Sequence, residues 1–435
     1  MRSGAAFSAN RLLAIARSGG WNVRFSVAFA ALAAMPMTLV LAEPAFAAPG
    51  DPVKVADGLS LDPIVEGRLR YERVDQPATD ADAVTLRLRA GFELKHESGL
   101  SLLAESEATL GIVSDYNAFP FAIADSQRRP QFSTVADPMN IELNRLQLRY
   151  QAKDVALTLG RQRIILDDQR WVGAAAWRQN EQTFDAARAE AKLGPVSLDA
   201  AYALGQRSVF GIDAGPRQTF DGDFVFLGVG AKAGPITLKG FAYLLDYDEA
   251  FFAANNSQTY GLRVTSSLPL GEGTTLNLAA SYARQSDYGN NPFDYAADYA
   301  ALQGSLAANQ FTLTGGWELL GSDNGRAVQT PMASLHIFNG WADTFLTTPD
   351  AGLTDWYGTL GCRFSGVKAL PGLNASVTYH RFGSDAGSLH YGDEWDAGVG
   401  FKLGRVNLLA KYADYNTERF GADTRKFWLQ AELAY

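Results

Sequence analysis

The residues of this sequence best equipped for chemistry are arginines that recur at every second position. Arg68 and Arg70 form one such pair and Arg87 and Arg89 another, with Arg145 and Arg149 more widely spaced and Arg188 further on. In an extended chain successive side chains point to opposite faces, so each pair shares one face of a strand. A guanidinium is permanently charged and offers a planar fork of donors that matches carboxylates and phosphates. That is the chemistry of anion recognition, not of bond making. Catalytic motifs are weak throughout. Gly228-Val229-Gly230 with Ala233 imitates a dinucleotide fingerprint, but it lies in a predicted strand and runs into Gly234-Pro235 instead of opening a helix. His96, His336, His380 and His390 have no metal-ligand spacing, and no nucleophile elbow is present. Cys362, the single cysteine, reads as a small apolar filler. No catalytic residue, cofactor or metal is therefore expected, and the chain is not expected to be an enzyme.

The elements that carry these arginines follow from a period of two. Val65, Gly67, Leu69 and Tyr71 share one face while Glu66, Arg68, Arg70 and Glu72 share the other. Val84, Leu86, Leu88, Ala90, Phe92 and Leu94 likewise oppose Thr85, Arg87, Arg89, Glu93 and Lys95. About 18 such segments run from 64–73 to 425–435, each about 10 residues long, the length with which a tilted strand crosses a bilayer. Their connections alternate. Tight turns such as Gly234-Pro235, Ala308-Asn309 and Gly404-Arg405 lie on one rim, and long stretches such as 113–140, 164–181 and 321–354 on the other. The expected fold is all-β: a transmembrane antiparallel β-barrel of about 18 strands with short periplasmic turns and long extracellular loops. The last strand supports it, because Phe427, Leu429, Ala431, Leu433 and the terminal Tyr435 alternate with Lys426, Trp428, Gln430 and Glu432.

If the apolar face meets lipid, the polar face lines a lumen. Strand parity then places Arg68, Arg70, Arg87, Arg89, Lys95, Arg145, Arg149, Arg188, Lys192, Arg263, Arg363, Lys402, Lys411 and Lys426 inside. The acids it places inside are fewer, namely Glu66, Glu72, Glu93, Glu105, Glu107, Asp199, Glu318 and Glu432, with Glu190 beside Arg188. Parity puts Arg161 and Arg163 outside with Val155, Leu157 and Leu159, unless a bulge near Gly160 shifts the register; inward placement is the expectation. A basic lumen implies selectivity for anions, set against the bland reading that these arginines pair with neighbouring carboxylates and only fill the bore.

The wall is basic although the chain is acidic. Its 435 residues hold 38 Lys and Arg against 47 Asp and Glu, a net charge of −9, which excludes a compact basic nucleic-acid binder. Residues 1–47 read as a cleaved signal peptide. Arg2, Arg11, Arg17 and Arg24 precede the apolar stretch Phe25 to Ala42 and the cleavage-site triplet Ala45-Phe46-Ala47. Removing four Arg and Glu43 leaves 388 residues with 34 basic and 46 acidic groups, net −12. Residues 48–63 are expected to be a periplasmic segment and 64–435 the barrel.

Several stretches resemble the bacterial alginate-export family of outer-membrane barrels. They include Gly160-Arg161-Gln162-Arg163, Trp177-Arg178-Gln179-Asn180-Glu181-Gln182-Thr183-Phe184-Asp185 and Leu244-Leu245-Asp246-Tyr247-Asp248. Thr330-Pro331, Leu335-His336, Phe338-Asn339-Gly340-Trp341-Ala342-Asp343, Gly352-Leu353-Thr354-Asp355 and Glu394-Trp395-Asp396 extend the likeness over most of the chain from about residue 64. The resemblance implies an 18-stranded barrel whose arginine-rich constriction passes a polyuronate. It places Arg161, Arg163, Arg178, Glu181 and Asp185 at or near that constriction. The loop motif around His336 and Trp341 reads equally as a brace that narrows the lumen and as part of a ligand site. The best-known exporter has a long periplasmic plug loop near its carboxyl end, where this sequence has the tight turn Gly404-Arg405.

The functional expectation is a passive outer-membrane channel for anionic solutes, above all acidic oligo- or polysaccharides. A general small-solute porin is the alternative, and a non-conducting adhesion or structural barrel and an outer-membrane hydrolase are the rivals from other classes. Expected partners are outer-membrane lipid and lipopolysaccharide, the barrel-assembly machinery, an anionic saccharide or carboxylate, and periplasmic export proteins, with no nucleic acid.

Overall fold

The computed structural model describes residues 52–434; the expected signal peptide at 1–47 and the terminal Tyr435 lie outside the described residues. The first half holds strands β1 (Val53–Ala56), β2 (Leu59–Asp75), β3 (Asp80–His96), β4 (Leu100–Asp115), β5 (Asn140–Gln151), β6 (Val155–Gln162), β7 (Thr183–Leu193), β8 (Val196–Arg207), β9 (Thr219–Ala233), β10 (Ile236–Tyr247) and β11 (Ser257–Gly271). The second half continues with β12 (Thr274–Asp287), β13 (Ala296–Ala308), β14 (Phe311–Leu320), β15 (Ser322–Asp323), β16 (Arg326–Ala327), β17 (Leu353–Arg363), β18 (Asn374–Gly383), β19 (His390–Leu403), β20 (Val406–Thr417) and β21 (Thr424–Ala434). β15 and β16 pair only with each other, inside a long loop. Setting aside these two and the short β1, 18 strands pair antiparallel in sequence order, and the last closes on the first with Arg70 opposite Gln430. The alternation thus specified an 18-stranded closed barrel. Closure satisfies every strand edge, which is what allows a sheet to sit in lipid.

The sheet begins earlier than the periodicity suggests. β2 starts at Leu59, and β1 folds back on it with Val53 opposite Leu61 and Lys54 opposite Ser60. β21 covers β2 only from Glu66 onward, so β1 pairs the edge that the shorter closing strand leaves free. The acidic and proline residues Asp62-Pro63 obscure this part of the strand in the sequence.

Faces follow the pleat. Leu159 and Leu313 are 61% and 60% exposed on the outside, whereas Arg70 and Arg87, on the other parity, are 0% and 1% exposed. One rim carries tight turns: Leu193 pairs with Val196, Ala233 with Ile236 and Leu403 with Val406. Gly234 has φ 58 and Gly404 φ 57, the left-handed conformation that two-residue hairpins require and that glycine adopts without strain. The turn 364–373 is longer than its neighbours on that rim. The opposite rim carries the long loops, including 116–139, 163–182 and 321–352.

The interior departs from the expectation of a uniformly polar wall. Towards the long-loop rim the inward residues of β9 and β10 include Phe220, Phe224, Phe226, Phe241, Tyr243, Leu245 and Tyr247, all buried. They pack with Ile164, Leu166 and Val172 from the 163–182 loop and with Val328, Met332, Ala342 and Phe345 from the 321–352 loop. Both loops fold into the barrel, so this wall faces protein and is apolar for the ordinary reason that buried surfaces are.

The outer face supplies a test. Leu302, in the middle of β13 and 56% exposed, points to the bilayer midplane. Leu302→Arg is expected to cost about 2–4 kcal/mol of unfolding free energy in lipid vesicles. Denaturant titration in vesicles measures this, and a cost near zero would mean that the face does not meet hydrocarbon.

Candidate functional site

Arginines face the interior on β2, β3 and β5, beside glutamates of β4, and their charges are largely compensated. Arg68 bridges to Glu432 at 2.8 Å and also donates to the main-chain oxygens of Ala176, Trp177 and Arg178. Arg70 meets Asp137 at 3.3 Å, donates to Gln430 and to the Trp177 carbonyl, and lies over the Trp177 ring at 4.0 Å. Arg87 reaches Glu432 at 2.9 Å and Glu66 at 3.4 Å, while its Nε and Nη1 find no acceptor among the described residues. Arg89 meets Glu107 at 2.5 Å and Glu181 at 3.2 Å.

A bulge on β5 concentrates the next group. Glu105 pairs with Arg145 and Ser106 with Leu143, so Asn144 is the extra residue and both it and Arg145 enter the lumen. Arg145 binds Glu105 at 2.7 Å, and Asn144 donates to Glu105 at 2.8 Å and to Glu181 at 2.5 Å. Towards the tight-turn rim Arg149 meets Glu190 at 3.1 Å, and Arg188 meets Asp199 at 2.6 Å.

Two of the expected lining residues are elsewhere. Arg161 lies opposite Leu146 on one side and Asp185 on the other, one step along from Leu159 opposite Ala187. The β6–β7 register runs through Gly160 without a shift, so Arg161 and Asp185 keep the outward parity of those neighbours. They pair with each other at 2.8 Å on the lipid-side face, and the expectation that they line the bore is corrected. Gly160 has φ 106 and sits so close to the Leu146 carbonyl that a Cβ would come within 2.4 Å, yet it does not turn the following residue inward. Arg163 differs because β6 has ended. It swings in to meet Glu181 at 2.6 Å and lies 3.7 Å from Glu105.

Arg178 and Glu181 stand on the inward loop 163–182, which interlocks with the loop 321–352. The Gly173 amide donates to the Met332 carbonyl at 2.9 Å, the Ala175 amide to Ser334 Oγ at 3.0 Å, and Gln182 to Met332 at 2.9 Å. Arg170 bridges to Glu318 at 2.9 Å and donates to Asn339, which in turn donates to Glu318 and Asp355. Asp343 binds Arg178 and Lys426, each at 2.8 Å. His336 Nδ1 lies 2.8 Å from Asp343, and Lys411 Nζ lies 2.7 Å from His336 Nε2. A lysine ammonium can only donate, so the imidazole accepts at Nε2 and donates from Nδ1 as the neutral tautomer. Burial and the Lys411 charge hold the His336 pKa well below the ordinary range, in keeping with that tautomer. Burial alone would raise the pKa of Asp343, but Lys426, His336 and Arg178 outweigh it and keep the carboxyl well below its usual value. His336 stacks on Trp177 at 4.4 Å, and the Lys411 ammonium sits 4.0 Å from the Trp177 ring and 3.6 Å from that of Trp341. The His336–Trp341 motif is therefore a brace in this structure.

Parity could not reveal Asp137, Arg170 or Asp343, since loop residues have no periodic direction. The partners of Lys411 were equally hidden, although its inward placement was legible. Besides a cavity of about 370 Å³ beside Lys232, Thr237, Thr265 and Gln303, two cavities lie against these charged groups. One of about 510 Å³ opens towards the tight-turn rim and is lined by Arg149, Lys153, Lys192, Lys239 and Arg263 with Asp154, Asp167, Glu190 and Asp199. The other, about 240 Å³, lies against Arg263, Glu318, Asp355, Tyr357, His380 and Asp396. No group of His, Cys, Asp and Glu able to hold a metal occurs among the described residues.

This closed barrel, with its inward loops, matches the family model described as alginate export over residues 122–379. The chain belongs to the alginate-export family. No match was found among curated proteins. The fold is shared with outer-membrane porins of known structure. OccAB2 of Acinetobacter baumannii is 14% identical, with 87% of this chain and 98% of that chain covered and a TM-score of 0.68. OccK2 (OpdF) of Pseudomonas aeruginosa, solved in complex with glucuronate, is 16% identical, with coverage of 86% and 98% and a TM-score of 0.65. OpdK of the same organism, solved with vanillate, is 15% identical, with coverage of 86% and 98% and a TM-score of 0.65. Family and fold are those of an outer-membrane β-barrel of porin type, not of an enzyme.

The loop anchor yields a prediction. Asp343→Asn leaves Arg178 and Lys426 buried without their carboxylate, which typically costs about 3–5 kcal/mol. Chemical unfolding in detergent should show a loss of that order. A variant as stable as the parent would mean that Asp343 does not hold the loops.

Proposed function

We propose that this protein passes anionic solutes through the outer membrane by passive diffusion, with acidic oligo- or polysaccharides of the alginate type as the leading class. The observation that carries this reading is the charge of the cavity at the tight-turn rim, since the smaller cavity, with Asp168, Glu318, Asp355 and Asp396 against Arg263 and His380, is acidic. The larger cavity collects five cationic side chains against four acidic ones in a chain whose net charge is −9. Lys153 and Lys192 there have no ion-pair partner among the described residues, so their charge is open to a solute. A narrow passage with low-dielectric walls focuses such charge and concentrates counter-ions. The paired arginines Arg68, Arg70, Arg87, Arg89, Arg145, Arg149, Arg163, Arg178 and Arg188 contribute as a standing field, with Glu181 setting the geometry of Arg89 and Arg163.

A second reading has its own support. Cavities of about 510 and 240 Å³ suit a single sugar acid or small carboxylate better than a polymer segment. The carboxylates glucuronate and vanillate are bound by the structurally similar OccK2 and OpdK, which favours a porin for small acids. In either case residues 1–47 would direct export, and outer-membrane lipid, lipopolysaccharide, the barrel-assembly machinery and periplasmic export proteins are the proposed partners.

Reversal potentials in planar bilayers under a potassium chloride gradient test the sign. The parent should prefer chloride, and Arg145→Gln with Arg149→Gln should move the reversal potential towards zero. Added oligouronate should block current where a neutral oligosaccharide of equal length does not. Cation preference in the parent, or equal block by both sugars, would refute anion conduction.

A further inference from the structure

Lys239 on β10 and Arg263 on β11 lie directly opposite each other in the sheet, both facing the lumen. Two like charges at directly opposed positions repel unless an anion stands between them. The anion here is the protein itself. Loop 163–182 crosses the bore and presents two consecutive aspartates. Asp167 accepts a hydrogen bond from Lys239 Nζ at 2.8 Å with the Tyr243 hydroxyl 3.5 Å away, and Asp168 pairs with Arg263, which also donates to Ser281 at 3.0 Å. The backbone turns sharply to do so, with φ 52 at Asp167 and φ 70 at Gln169, a region that residues with a Cβ seldom occupy.

The contact also stands where the two cavities meet. Asp167, Lys239 and Arg263 line the larger one, and Asp168 and Arg263 line the smaller. Unlike Arg70 and Asp137, which are fully buried, these four side chains keep 17–33% of their surface exposed. Pairs of that kind are screened and weakly held, and a competing anion can reach them.

We propose that Lys239 and Arg263 form a binding subsite for paired carboxylates, and that Asp167 and Asp168 are built-in stand-ins that occupy it until such a ligand displaces them. The fitting ligand class carries two carboxylates on neighbouring units, as an acidic oligosaccharide does, because it replaces one for one the two aspartates that hold Lys239 and Arg263 separately. Displacement frees the loop tip and joins the two cavities. The proposal rests on the anion-conducting reading and names the place where selection between anions occurs.

The test uses the full-length barrel in detergent and a diuronate as probe, with glucuronate and maltose as single-charge and neutral controls. Isothermal titration of D167N/D168N should show diuronate affinity raised about tenfold or more over the parent, since an internal competitor at high effective concentration has been removed. K239Q/R263Q should lose that binding, and maltose should be indifferent throughout. In bilayers D167N/D168N should also raise single-channel conductance. Unchanged diuronate affinity in D167N/D168N, or retained binding in K239Q/R263Q, overturns the subsite even if the parent pore prefers anions. A parent pore without anion preference sinks the conduction reading instead, and the titration still decides the subsite. The asparagine variants keep side-chain volume, and single variants D167N and D168N give the same readout if the double variant folds poorly.

Discussion

A guanidinium removed from water must be met by a carboxylate or by carbonyl oxygens, and the interior of this barrel is arranged around that requirement. Arg68, Arg70, Arg87 and Arg89 stand close together on two adjacent strands, with Arg68 directly opposite Arg87. Glu432, Glu66 and Glu107 on neighbouring strands offset part of their charge. The remainder falls to residues no strand supplies: Asp137 and Glu181, and the main-chain oxygens at Ala176, Trp177 and Arg178. The loop 163–182 therefore lies inside the barrel partly because the arginine wall demands acceptors.

Once that loop is inside, its other face must be covered. Ile164, Leu166 and Val172 need apolar neighbours, and the inward aromatics of β9 and β10 provide them together with residues of the loop 321–352. The bore thus has two walls of different character. Charge compensation holds the loops to the N-terminal strands, and hydrophobic burial holds them to the middle strands. The His336, Asp343 and Lys411 chain ties the same loops to β20 and β21. Loosening one attachment leaves the others in place, so the internal loops are a packed body anchored on several sides.

Much of this fold was legible in the sequence because lipid leaves few alternatives. Strand number, inward placement of residues such as Arg87 and Arg145, and the split between tight turns and long loops all follow from a period of two and from the requirement for closure. Legibility ended where the period does. Arg163 escapes its parity because β6 stops at Gln162, while Arg161 keeps it and pairs with Asp185 outside. The inward face of β9 reads Phe220, Phe224 and Phe226, a row that alternation alone would turn towards lipid. The two loops folded inside make it a core, and alternation along β9 cannot show which row they cover.

Pairing also changes what the arginines can do. A free guanidinium would bind a carboxylate tightly and release it slowly, which opposes conduction. An arginine already engaged by glutamate offers a passing anion a modest gain, because the solute must share or displace an existing partner. The deep pairs around Arg70 and Arg89 are too enclosed for such exchange, with exposures of 0–5% for each guanidinium side chain. The partly exposed pairs at Arg149, Arg188, Lys239 and Arg263 are where exchange can take place. On the proposed anion-conducting reading, selection falls to the exposed pairs beside the cavity at the tight-turn rim, and the buried arginines serve by fixing the shape within which those pairs work.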